Sequence, residues 1–164
     1  MKHGCLIVSC AHSQLALPVE SVVEVARMVA PCAKLLRAPR YVMGIVDFHG
    51  QLVPLVDLPA RLGLCAPRTP TAMSSGHIVF LELPSGLWGM AVDGVHDLSR
   101  EPVTALSLEP KHLSGLLLGS LRLADGERAL VLNPSQILSV VMRARIGAEL
   151  LALSKPSQPD GGTA

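Results

Sequence analysis

Aromatic residues are nearly absent from this chain of 164 residues: Tyr41, Phe48, Phe80 and Trp88 are all it has. Four scattered rings cannot form a platform on which successive bases stack. Charge is also scarce. Only 16% of the residues are charged and the formal net charge is +1, so no bulk attraction to nucleic acid or to an anionic membrane follows. No apolar run approaches the ~20 residues of a membrane span. Met1-Lys2-His3-Gly4 lacks the long apolar region and small-residue cleavage site of a secretion signal. The cytoplasm is therefore the expected location. What is plentiful is apolar side chains, at 49%. That is ample for a core, and so few charges suggest apolar surface held against a partner.

The four cysteines, Cys5, Cys10, Cys32 and Cys65, default to reduced thiols that pack as small hydrophobes. His3, Cys5, Cys10 and His12 place four soft ligands close together, which admits a small metal- or thiol-dependent protein as the alternative function. The spacing His-x-Cys-x4-Cys-x-His is not a standard zinc pattern. On one continuous strand Cys5 and Cys10 would face opposite sides.

The chain is punctuated into short strands. Cys5–Cys10 and Leu15–Leu17 read as strands, and Pro18 opens a helical turn at Val19-Glu20-Ser21. Val22–Val25 is β-branched and reads as a third strand. Residues 26–42 are irregular, with Pro31 and Pro39. Then Gly44 to Leu58 reads Gly-Ile-Val-Asp-Phe-His-Gly-Gln-Leu-Val-Pro-Leu-Val-Asp-Leu. Two apolar runs flank His49-Gly50, a hairpin signal in which Gly supplies positive φ. Pro54 cannot donate to a ladder, so a free edge or a bulge is expected there. Asp57 stands at the N-cap of a short helix. Residues 65–76 are a Pro/Ser/Thr-rich linker.

The second half repeats the first. His77–Leu83, Leu87–Val92 and Val95–Leu98 read as strands, followed by an irregular stretch from Ser99 to Ser114. Leu116–Leu123 and Ala129–Leu132 flank the turn dipeptide Asp125-Gly126. Asn133-Pro134 caps a helix in which Ile137, Leu138, Val141 and Met142 recur at helical spacing, continuing to Leu151. Residues 154–164 read as a disordered tail. Residues 16–25 align with 89–98. Pro31 and Pro39 align with Pro102 and Pro110, and Gly44, Gly50 and Asp57 with Gly119, Gly126 and Asn133. Five short strands per unit without long helices predict a mainly β protein of two small barrels, whose closure hides the strand edges.

These segments resemble the CheW-like domain, the adaptor module of bacterial chemosensory arrays, over about residues 5 to 140. The most specific match is Gly44 to Leu58, supported by Leu17-Pro18-Val19-Glu20-Ser21-Val22 and Val92-Asp93-Gly94-Val95. The resemblance implies two SH3-like five-stranded β-barrels with short helices and a C-terminal helix. They would form one domain over 1–153, with subdomains at roughly 5–64 and 77–133 and strand exchange between them left open. It implies a non-enzymatic scaffold that couples methyl-accepting chemoreceptor tips to a CheA-type histidine kinase, among other CheW-like domains of an array, without cofactor. Partner-binding residues carried over are Val22, Glu24, Gly44, Asp47, His49 and Gly50. At His49 the family usually has Arg. Neutral His offers one donor and titrates near pH ~6.5, whereas Arg is always charged. Receptor coupling is therefore expected to be altered, weakened or made pH-sensitive.

Other chemistry has simpler readings. Asp57 is a cap before it is a catalytic carboxylate. Glu20 and Glu24 lack the surroundings of an acid/base pair. The helix after Pro134, with Arg143 and Arg145 on its polar side, is expected to cover a barrel. No Ser-His-Asp combination has a nucleophile-elbow context.

Overall fold

The computed structural model describes residues 4–106, 115–139, 142, 143, 146, 148 and 150–152. His3, Pro110, Val141, Arg145 and the 154–164 tail lie outside them. Ten strands are described: β1 (Cys5–Cys10), β2 (Ser13–Pro18), β3 (Val22–Arg27), β4 (Val42–Phe48), β5 (Gln51–Asp57), β6 (His77–Leu83), β7 (Gly86–Val92), β8 (Gly94–Ser99), β9 (Leu117–Arg122) and β10 (Arg128–Leu132). One α-helix, α1 (Leu58–Arg61), follows β5. The fold is mainly β, in two five-stranded SH3-like units.

The sheets run β8-β1-β2-β10-β9 and β3-β6-β7-β5-β4. Matching β1–β5 to β6–β10 turns one order into the other. Each sheet has one parallel pairing, β2 with β10 and β5 with β7. The leading hairpin of each half has crossed into the other half's sheet. The split at 5–64 and 77–133 thus follows the sequence repeat and not the sheets.

The period-2 alternation of β1 and β6 explains the three cores. Leu6, Val8 and Cys10 of β1 and Val79, Leu81 and Leu83 of β6 enter a shared core between the sheets, with Ile137, Leu138 and Ile146 of the C-terminal part. Cys5 and Ile7 turn into the first sheet's own core with Leu121 and Val131. Ile78 and Phe80 turn into the second sheet's core with Val46 and Val53.

Several local expectations are revised. Pro18 ends β2 and caps the 3₁₀ turn Val19–Ser21 instead of occupying its first position. Pro54 lies in an interior strand without a bulge of its own. Its neighbour across the ladder, Ile45, directs its N–H and C=O to Ala33 and Cys32, away from β5. Pro54 therefore has no ladder bond to lose on the β4 side, and pairing with β7 begins only at Leu55. The segment 65–76 is not a bare linker, for it holds the 3₁₀ turn Thr71–Met73 and buries Met73. The helix expected from Pro134 to Leu151 is interrupted. A 3₁₀ turn spans Pro134–Gln136, Ile137 and Leu138 follow as a bend, and helical residues are described from 142 onward. Ser139 restarts it, its Oγ accepting from the Met142 N–H at 3.1 Å.

Candidate functional site

The hairpin β4–β5 turns at His49-Gly50, and both residues have positive φ, 49° and 88°. This is the two-residue turn whose twist matches its strands, with His standing where Asn or Gly is the cheaper choice. The His49 ring is 70% exposed, and its Nε2 lies 3.1 Å from Glu24 Oε1 and 3.3 Å from Oε2. The ring also meets Phe48 edge-on, with centroids 4.6 Å apart. β3 and β4 are the outermost strands of their sheet. The sheet therefore curls until its ends meet at Glu24 and His49, with the rings of Phe48 (β4) and Phe80 (β6) 4.4 Å apart below. With both partners solvated, the pair contributes little to stability.

Of the six expected site residues, the structure brings Glu24, His49 and Gly50 together at this tip. Val22 is half-buried against the shared core. It precedes a bulge, after which Val23 and Val25 remain 51% and 39% exposed along the edge strand. Asp47 is exposed on β4 opposite Leu52. Gly44 is buried at the other end of β4, with φ of 143°. A Cβ there would stand 2.5 Å from the Ala33 carbonyl oxygen, so Gly44 is what lets residues 31–33 close on the strand. Its counterpart Gly119 does the same beneath Thr104. A concavity of about 260 Å³ opens between the sheets, walled by Pro18, Glu82, Pro84, Leu118 and Pro134.

Cys5 and Cys10 enter different cores on opposite faces of β1. They cannot ligate one ion, and no group of three or more His, Cys, Asp or Glu among the described residues could hold a metal. Burial pushes the Cys10 thiol up to about 12, with Asp93 reinforcing it.

A polar cluster that the sequence reading missed centres on Asp57, which is fully buried. It does cap α1, accepting from the Ala60 N–H at 3.3 Å. It also accepts from the Arg68 backbone N–H at 3.0 Å and from Arg68 Nη2 at 3.2 Å. Arg68 Nη1 donates to Asp93 Oδ1 at 2.6 Å, and Asp93 Oδ2 accepts from the Ala11 N–H at 2.6 Å. Burial pulls the Arg68 guanidinium down, but its hydrogen bonds to Asp93 and Asp57 outweigh that and raise it above its ordinary value. The cluster ties the 65–76 segment, the end of β5 and the β1–β2 turn together across the two sheets. Arg68 was hidden by its setting between Pro67 and Pro70. A lone cation in so apolar a chain was the available signal.

A doubled SH3-like module whose exposed polar contacts lie at loop tips and strand edges is of the small all-β class. Within it, this chain belongs to the CheW-like domain family, whose profile matches residues 4–142. It is 30% identical over 86 residues, 52% of each chain, to a probable chemotaxis protein CheW of Rhizobium etli. It is 35% identical over 69 residues, 42% of each chain, to the chemotaxis protein CheW of Rhizobium meliloti. The chain spans about half the length of these curated relatives where it matches them. The crystal structure of the scaffolding protein TtCheW from Thermoanaerobacter tengcongensis is similar in fold. Its TM-score is 0.67 over 87% of this chain and 91% of that one, at 22% identity. No helix among the described residues is long and apolar enough to cross a membrane.

Proposed function

We propose that this protein is a non-enzymatic adaptor that couples methyl-accepting chemoreceptor tips to a CheA-type histidine kinase in a cytoplasmic array. Other CheW-like domains would be its neighbours there. The observation that carries the reading is the hairpin Gly44 to Leu58. It bears the family's sequence pattern and sets His49 against Glu24 beside the exposed valines of β3. Its mechanism is geometric. Two rigid sheets on one core hold a receptor and a kinase in register, and a change of packing at one contact is felt at the other. Val22, Glu24, Gly44, Asp47, His49 and Gly50 are the proposed partner-binding residues. Glu24, Asp47 and His49 would contribute contacts, and the glycines would shape the backbone.

Co-purification of the full chain with the kinase's regulatory region and with a receptor cytoplasmic fragment tests this reading. Retention of both is the expected result, and retention of neither would sink it. His49→Arg offers Glu24 and the receptor a charged fork of donors. Receptor affinity should rise by several-fold to about tenfold. Unchanged affinity in titration calorimetry would make His49 a turn residue only.

A further inference from the structure

The duplication supplies an internal control for the irregular stretch between β3 and β4. Among the described residues, both halves close that stretch onto a strand through the same kind of pairing. In the first, the Cys32 N–H donates to the Ile45 carbonyl and the Ile45 N–H to the Ala33 carbonyl, each at 2.8 Å. In the second, Thr104 and Ser120 exchange the equivalent bonds at 2.8 and 2.9 Å. Each pairs one residue of the excursion with a strand, Ala33 with Ile45 and Thr104 with Ser120. Each closes over a glycine that admits no Cβ, Gly44 or Gly119. The bridge and the glycine beneath it are therefore common to both copies.

Their charges differ. Residues 25–46 hold Arg27, Lys34, Arg37 and Arg40 and no Asp or Glu. The whole chain's formal charge is +1, so this stretch carries +4 and the remainder −3. The matching stretch 98–121 holds Arg100 and Lys111 against Glu101 and Glu109, and is neutral. The pairing that closes the segment is thus made in the second copy without a matching surplus of cations. The same excursion presents Leu36 at 92% exposure and Val29 at 52%. It is anchored beneath by Leu35, which is buried in the shared core, so its apolar tip is displayed on a fixed base. A preformed basic and apolar surface costs little ordering when it binds.

We infer that residues 27–40 form a docking surface for an acidic segment of a partner protein that also carries an apolar side chain to cover Leu36. Single-stranded nucleic acid is gripped by stacking rings as well as by cations. The nearest ring, Tyr41, already has the Arg61 guanidinium over it, 5.6 Å from the ring centroid. A membrane needs a second anchoring signal besides a short basic patch, and one leucine with one valine is a small insertion. An acidic protein surface uses both the charge and the leucine. The adaptor reading is needed only to say that this partner belongs to the array.

The test titrates the full chain with a labelled peptide rich in Glu and Leu and with its Glu-to-Gln counterpart. Vesicles containing phosphatidylserine and a single-stranded RNA oligomer are titrated in parallel. The acidic peptide should bind, weaken with salt, and exceed the amide peptide. Lys34→Glu with Arg40→Glu should weaken it by about tenfold or more, and Leu36→Ser should weaken it with the charges intact. Arg100→Glu in the second copy should leave it unchanged. Lys34, Leu36 and Arg40 are all exposed, so circular dichroism should find these variants folded. No binding of the acidic peptide, equal binding by the variants, or tighter binding of vesicles or RNA would overturn the inference. The kinase and receptor fragments are titrated alongside. Peptide binding that depends on Lys34 and Arg40, without either fragment binding, would remove the adaptor reading and leave the docking surface standing. Fragment binding with no binding of the acidic peptide would do the reverse.

Discussion

At the scale of single residues, the buried charge of Asp57 depends most on a distant partner. It was legible as a cap because a strand-to-helix step follows it, and Ala60 does donate to it. Its second role was not legible, since nothing in local sequence says that a carboxylate meets a guanidinium eleven residues on. Arg68→Met should destabilise the fold by about 3–5 kcal/mol, because it leaves Asp57 charged, buried and short of a partner. Urea denaturation measures this, and a loss below ~1 kcal/mol would mean that water replaces the guanidinium. The cysteines give a second expectation. Cys10 is fully buried, and that burial pushes its thiol up to about 12. Near pH 8 it stays protonated and should resist alkylation, whereas exposed Cys32 should label first. Peptide mapping by mass spectrometry distinguishes them, and early labelling of Cys10 would contradict its burial. At His49 the turn itself was readable from the following glycine, but the contact with Glu24 was not. It depends on how far the sheet curls, which no local pattern states.

At the scale of elements, the strands and their hairpins were the most legible part. β1, β3, β4 and β5 fall where β-branched runs and turn dipeptides put them, because period-2 burial leaves a direct mark on sequence. The Asp125-Gly126 hairpin was found as a hairpin but not as a two-residue turn. Its loop is longer, with the Leu123 N–H donating to the Glu127 carbonyl at 2.7 Å. The C-terminal helix was drawn as continuous, since apolar spacing runs on through the bend at Ile137 and Leu138 and cannot reveal that Ser139 starts a new turn. Gly44 carries the sharpest element-level expectation. Gly44→Ala combines a φ of 143° with a Cβ against the Ala33 carbonyl, and should cost at least about 2–3 kcal/mol. Gly119→Ala should cost about as much, because the excursion over it closes in the same way. If thermal denaturation finds either variant unchanged, the excursion has moved away from its strand.

At the scale of the whole molecule, the doubled architecture was visible in the sequence but the crossing of hairpins was not. A repeat shows which segments are equivalent. Which copy each strand joins is decided by long-range pairing, and the sequence match is the same for both answers. The topology makes a direct prediction. Residues 5–64 or 77–133 alone should remain unfolded, because each half lacks the hairpin that completes its sheet. The two fragments mixed should recover dispersed amide resonances. A folded half on its own would show that the sheets need no exchange.

The crossing also sets an order in time. β2 pairs with β10, so on the ribosome the first hairpin must wait for nearly the last strand. At about 5–20 residues per second that delay is on the order of ten seconds. Throughout it, the edges of β1 and β2 face outward as open templates. A second nascent chain could complete them as well as the chain's own C-terminal part, so crowded synthesis of this protein would favour hairpin-swapped dimers.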